Sequence, residues 1–234
     1  MYRTNFLEGG VRMSIGNVMQ QMLDKVNKEF PLTEKSAGEF ASIKAKGMKF
    51  QIKQYEAKGL GNVSVMEAKG FFGLMQMDTL IINPLKKDLP LLSYDRVMAM
   101  GNDTLIIELY DTFLEKQEFS ELALWKEENK NLPEHDLGEH WYDSIKLPES
   151  VSKKGKKEHS KAFDKFTAIY FEKYLNNKAA KMMVEDINAK REKASVYVEG
   201  LLSNGGPSTD VFKKEFGEPK TAKLFRKVLF GTEK

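Results

Sequence analysis

The sequence contains no cysteine. That absence excludes disulfides, Cys-ligated zinc, protein-bound iron–sulfur clusters and thiol nucleophiles. Histidine is nearly as scarce, with His135, His140 and His159 the only 3. His135 and His140 are five positions apart, which does not fit one helical face, so no metal site is expected. No apolar run reaches the ~20 residues that span a bilayer. The first twelve residues lack the apolar stretch of a secretory signal. The expectation is a soluble, cytoplasmic protein without a membrane partner. Common catalytic signatures are also missing: there is no G-x-x-x-x-G-K-[ST], no G-x-G-x-x-G between strand and helix, no G-x-S-x-G and no H-E-x-x-H. Redox chemistry in such a chain would draw its electrons from outside or from a bound organic molecule.

What is present is enough for one globular domain. The 234 residues are 41% hydrophobic and 30% charged. A chain of this length buries about 70% of its unfolded surface. The net charge of +3 is too small to argue for nucleic acid. The positive charge is clustered, however, in Lys153, Lys154, Lys156 and Lys157 and again from Lys213 to Lys234. These clusters read either as solvated surface or as a docking rim for an acidic partner.

Along the chain the apolar spacing changes period. Ile15, Val18, Met19, Met22, Val26 and Phe30 recur at helical spacing, with Ser14 as N-cap and Pro31 as stop. From about residue 40 to 114 the pattern alternates. Met48, Phe50 and Ile52 interleave with lysine and glutamine, Gly59-Leu60-Gly61 reads as a hairpin turn, and Gly101-Asn102-Asp103 marks another turn. Strands separated by Gly or Asn turns, with no helix between them, predict an antiparallel meander. Lys153–Lys157 reads as a basic loop around Gly155. Helical spacing then returns over residues 162–175, 182–202 and 209–230, broken at Asn204-Gly205-Gly206-Pro207. The predicted class is α+β: a three-layer α/β/α sandwich around a central antiparallel sheet, in one domain. The N-terminal helix should cover one face and the C-terminal helices the other.

Two stretches stand out chemically. In Leu89-Pro90-Leu91-Leu92-Ser93-Tyr94-Asp95-Arg96-Val97, a carboxylate sits in a mostly apolar strand. Buried carboxylates are costly unless paired or protonated, so Asp95 is neutralised by its neighbour Arg96, caps a turn at a strand edge, or is kept for chemistry. The second stretch runs from Asn204 to Phe230 and reads as a turn, an amphipathic helix, a Gly cap and a final helix. Met66, Met75, Met77, Met98 and Met100 fill a core or line a site for a flat, adaptable ligand.

Together these stretches resemble the ferredoxin-dependent bilin reductases. The C-terminal LLSNGGPSTDVFKKEFGEPKTAKLFRKVLFG is similar to that family's closing segment within one inserted residue, and DLPLLSYDRVMAMGNDTLIIELYDT is similar to its central strand pair. The related red chlorophyll catabolite reductases share the fold. The resemblance implies a linear tetrapyrrole substrate held between sheet and helices, no bound flavin, metal or nicotinamide, and electrons from reduced ferredoxin. It implies catalytic roles for Asp95 and for Asp78, the latter where some members carry a histidine. It implies substrate contacts at Glu67, Lys130 and Asn204. On this reading Asp78 and Asp95, on adjacent strands, would couple. The chain departs from the family after Asn204, where Gly205 and Gly206 stand in place of an aspartate. A tetrapyrrole-binding protein without catalysis and an unrelated α+β interaction domain are the alternatives.

Overall fold

The structure, a computed structural model, describes residues 16–233. Ser14 and Ile15 of the first expected helix lie outside the described residues. The helix itself, α1, spans Asn17–Glu29 and buries Val18, Met19, Met22, Leu23 and Val26, the stripe read from the sequence. The strands are β1 (Leu32–Lys35), β2 (Ser42–Ala45), β3 (Met48–Ala57), β4 (Gly61–Gly70), β5 (Met75–Asn83), β6 (Leu91–Ala99), β7 (Asn102–Tyr110) and β8 (Val151–Lys156). They form one fully antiparallel sheet in the order β1-β3-β4-β5-β6-β7-β8, with β2 also pairing along β3. The helices that follow are α2 (Ser120–Glu128), α3 (Ser160–Asn176), α4 (Ile187–Asn204), α5 (Pro207–Phe216) and α6 (Glu218–Lys223).

The result is an α+β, three-layer sandwich. One face of the sheet (Val63, Val65, Leu80, Leu92, Tyr94, Leu105, Ile107) packs on α1, α2 and α3 through residues such as Met22, Leu122, Phe166 and Tyr170. The other (Phe50, Ile52, Met66, Ile81, Leu91, Tyr110) packs on α4, α5 and the turn that follows α6 through Tyr197, Leu201, Phe212 and Phe225. Two expectations need correction. The division of helices is not N-terminal against C-terminal, because α3 joins α1 on the first face. The sheet also extends past residues 40–114: β1 precedes them, and the supposed basic loop at Lys153 is β8. That sequence lacks a strand's alternation because its inward residue is itself a lysine. Lys153 is fully buried, with its ammonium bonded to Glu134 and the Leu132 carbonyl.

The C-terminus is pinned by polar contacts as well as by the buried Leu224, Phe225, Val228, Leu229 and Phe230. After α6 the chain winds into a π-helical turn, Leu224–Leu229, closed by Phe230 N–H on Phe225 O at 3.0 Å. Wider turns leave carbonyls without intrahelical donors, and here strands β4 and β5 supply them. Asn62 Nδ2 donates to Leu229 O (2.9 Å), Ser64 Oγ to the same oxygen (2.8 Å) and Asn83 Nδ2 to Phe230 O (2.7 Å). All three side chains are buried, so each bond replaces one that water would have made. This clamp fixes the helical layer on the Asp95 side of the sheet.

Candidate active site

Antiparallel register determines which side chains meet. On the α4–α6 face the pairing produces three adjacent rows. The outermost is Ala68–Met77–Val97–Thr104–Lys154, the middle one Met66–Thr79–Asp95–Ile106–Ser152 and the innermost Ser64–Ile81–Ser93–Glu108. The helices bury the β4 end of these rows. Met77, Ser93, Asp95, Val97, Thr104, Ile106 and Ser152 remain half-buried. The rows therefore form the floor of a partly open cleft, with Met77, Val97 and Ile106 interleaved with Ser93, Thr104 and Ser152 and with Asp95 at its centre.

Asp95 is neither free nor charge-paired. Thr79 Oγ1 donates to its Oδ1 at 2.5 Å, and Ser93 Oγ lies 3.4 Å from Oδ2. Burial pushes its carboxyl up to about 6; these hydroxyls oppose the shift and the nearby Glu108 charge adds to it. Arg96 cannot neutralise it, because successive strand residues point to opposite faces. Arg96 turns to the α3 side, where it binds Asp103 through both Nε and Nη2 and lies 5.1 Å from the centre of the Phe163 ring.

Behind Asp95 lies a set of residues that the sequence did not single out. Glu108 is buried, and its Oε2 accepts from Tyr110 OH at 2.6 Å. Its Oε1 accepts no hydrogen bond among the described residues and has Lys146 Nζ 3.8 Å away. Tyr110 stacks on Tyr197 of α4 with ring centres 3.9 Å apart, and Tyr142 packs edge-on against both. Burial raises the hydroxyl pKa of all three tyrosines, so each is a neutral O–H donor near neutral pH. Trp141 completes the wall. Its Nε1 donates to Gly205 O at 3.2 Å, and its ring occupies the space that a Cβ on Gly200 would need. Glu108 was findable: like Asp95, it is a lone carboxylate inside an apolar strand, Leu105-Ile106-Ile107-Glu108-Leu109.

The structure does not assemble the other expected site residues around Asp95. Asp78 and Glu67 pair across β4 and β5 but point to the α1–α3 face. Asp78 accepts from Gly16 N–H at 2.9 Å, and Glu67 carries an ion pair to Lys69 at 2.6 Å. Burial raises the Asp78 pKa, opposed by the Gly16 and Gln76 hydrogen bonds and reinforced by the Glu67 charge. The expected coupling of Asp78 to Asp95 is thus replaced by coupling to Glu67. Facing Asp95 on β5 is Thr79, one position along. Lys130 lies just past α2 on the far side, 73% exposed and ion-paired with Glu127. Asn204 ends α4 on the Asp95 side of the sheet, and its side chain is exposed. Of the methionines, Met66, Met75 and Met77 share the face of Asp95, whereas Met98 points to the other face and Met100 is at a turn.

A separate pocket of about 590 Å³ opens at the opposite end of the strands, lined by Asp111, Phe113, Glu118, Leu147, Glu149 and Lys193 among others. Asp111, Glu118 and Lys193 are exposed, and the buried acid Asp95 is not among its lining residues. The cleft around Asp95 is the better candidate, because it holds a carboxyl near neutrality beside the apolar Met77, Val97 and Ile106. Among the described residues no cluster of His, Cys, Asp or Glu is arranged to hold a metal ion. No helix among them is long and apolar enough to cross a membrane.

No family model matches the chain, and no curated protein matches it by sequence. Among solved structures it is similar in fold to phytochromobilin synthase from tomato, crystallised in complex with biliverdin. That match has a TM-score of 0.73 at 16% identity and covers 92% of this chain and 82% of the other. The α+β sandwich inferred from sequence patterning is therefore a fold already seen in a solved structure.

Proposed function

We propose that the protein binds a linear tetrapyrrole in the cleft between the sheet and the α4–α6 layer and reduces it with electrons from ferredoxin. The observation that carries this reading is Asp95: a half-buried carboxyl, held near neutrality on a floor of mixed polar and apolar side chains, on the fold of a protein crystallised with biliverdin. Saturating one double bond of a bilin consumes two electrons and two protons. Ferredoxin delivers electrons singly, and each electron makes the conjugated system more basic. A carboxylic acid titrating at about 6 is largely protonated just below that pH and gives up its proton readily, the condition for an efficient general acid. Asp95 donates to the reduced ring system and is reprotonated from the open side of the cleft. Thr79 and Ser93 orient its carboxyl. Glu108 behind it holds the Asp95 pKa up through its charge, and the three tyrosines present neutral O–H groups. No bound cofactor is required, since the donor supplies the electrons and the bilin accepts them.

The exposed Lys154, Lys156 and Lys157 give an acidic donor a basic surface beside the cleft; of the C-terminal lysines, Lys220 and Lys223 are ion-paired with Glu39. Surface charge of this kind acts on encounter rate, so turnover with ferredoxin should fall steeply with ionic strength.

Titration with biliverdin tests the binding step. A shifted, structured visible spectrum that saturates at one equivalent supports it, and an unchanged spectrum refutes it. Anaerobic addition of reduced ferredoxin then separates reductase from binder. A binder without catalysis has one observation in its favour: Gly205 and Gly206 follow Asn204, and neither offers a second acid at that rim.

A further inference from the structure

The hairpin ends at one edge of the sheet expose an unusual amount of apolar surface. Phe71, Phe72 and Gly73 link β4 to β5, and Leu74 follows. Phe72 is fully exposed, Phe71 is 56% exposed, Leu74 64% and Met100 of the β6–β7 turn 86%. The two turns touch: Met100 N–H donates to Leu74 O at 3.3 Å. Phe71 and Phe72 hold φ of 51° and 57°, a left-handed conformation that bulky side chains rarely adopt, and Met100 does the same at 50°. Strained backbone that displays large apolar side chains to water costs stability twice, so a contact elsewhere must favour it. Exposed lysines flank this ridge on both sides: Lys46 and Lys49 at the β2–β3 end, Lys154, Lys156 and Lys157 at the β8 end.

We propose that this edge docks on an anionic lipid surface, with Phe71, Phe72, Leu74 and Met100 entering the headgroup region and the flanking lysines meeting lipid phosphates. The shape argues for a bilayer: the apolar groups project from turns as a convex ridge, which a fluid interface accepts without a matching groove. The charge argues against a second copy of this chain, since two lysine-flanked ridges repel. The expectation of no membrane partner rested on the lack of a spanning run, which a peripheral contact does not need. The proposal does not rest on the tetrapyrrole reading, but it shares Lys154, Lys156 and Lys157 with the donor surface proposed there, so a lipid surface and an acidic donor would compete for them.

The test is co-sedimentation of the full chain with vesicles of phosphatidylcholine alone and with about 30% phosphatidylglycerol. Binding is expected to the anionic vesicles only, weakening as salt rises. Phe72→Asn should reduce it at least about tenfold while leaving the melting temperature unchanged or higher, because asparagine tolerates this backbone conformation. Phe72→Trp should show a blue-shifted emission on the same vesicles. Three results would overturn the proposal: no vesicle binding, equal binding to neutral vesicles, or undiminished binding by Phe72→Asn. Phe72-dependent capture of a small acidic ferredoxin without vesicle binding would likewise overturn it, reassigning the ridge to a protein partner.

Discussion

Replacing Asp95 with asparagine should make the protein more stable and less active, and the stability gain should depend on pH in a defined way. A carboxyl that titrates at about 6 instead of 3.8 costs the folded state about 3 kcal/mol once ionised. Asp95 is half-buried, so screening reduces this to about 1–3 kcal/mol. The sign follows from linkage. Because the folded pKa lies above the unfolded one, the folded state holds the proton more tightly between about pH 4 and 6, and the penalty grows across that window to its full size above pH 6. Asparagine carries no charge at any pH, yet its amide oxygen still accepts from Thr79 and its NH₂ donates to Ser93 Oγ. Urea unfolding of both proteins at pH 4, 6 and 8 should give near-equal stabilities at pH 4 and a variant about 1–3 kcal/mol more stable at pH 8. A difference that stays flat with pH, or a variant that is less stable at pH 8, would mean that Asp95 is solvated or paired and would refute the electrostatic argument. Under the proposed chemistry the same variant should bind biliverdin within about tenfold of the parent and turn over roughly 100-fold more slowly.

Glu108→Gln removes a charge that raises the Asp95 pKa, so the alkaline limb of the activity profile should move to lower pH, read from kcat across pH 5 to 8. Asp78→Asn should leave biliverdin affinity and turnover within about twofold, because that carboxyl lies on the other face of the sheet; a loss of about 100-fold would contradict this placement. Asp103→Ala strands Arg96 in a buried setting and should cost about 3–5 kcal/mol in chemical denaturation, far more than an exposed ion pair.

The layer order was legible because the period of the apolar residues changes from helical to alternating and back. The helices α1 and α3 and the hairpin at Gly59-Leu60-Gly61 were readable for the same reason; the next turn, read at Gly101-Asn102-Asp103, falls at Met100-Gly101, and Asn102 already opens β7. What failed was parity within β4 and β5. Both faces of those strands are covered, so Leu80-Ile81-Ile82 carries no alternation to reveal which residues share a side. The turn that fixes their register is Phe71-Phe72-Gly73, where two aromatic residues take a conformation that sequence rules reserve for glycine or asparagine. A one-residue ambiguity there moves Asp78 and Glu67 to the opposite face from Asp95. Lys153 misled for a related reason: a buried lysine satisfied by Glu134 looks, in sequence, like a solvated one. Asp95 itself was legible as a carboxylate in an apolar strand. The aromatic wall of Tyr110, Tyr142 and Tyr197 was not, because it gathers residues from β7, a connecting turn and α4 that only tertiary packing brings together.

The most direct test of the central claim is a single anaerobic turnover of the biliverdin complex with reduced ferredoxin, followed by absorbance and electron paramagnetic resonance in the parent and in Asp95→Asn. The account predicts that the parent consumes two electrons per bilin double bond and yields a blue-shifted product, while the variant stops after one electron with an organic radical that persists. Biliverdin left unreduced by the parent, or an Asp95→Asn protein that reaches product at the parent's rate, would contradict it.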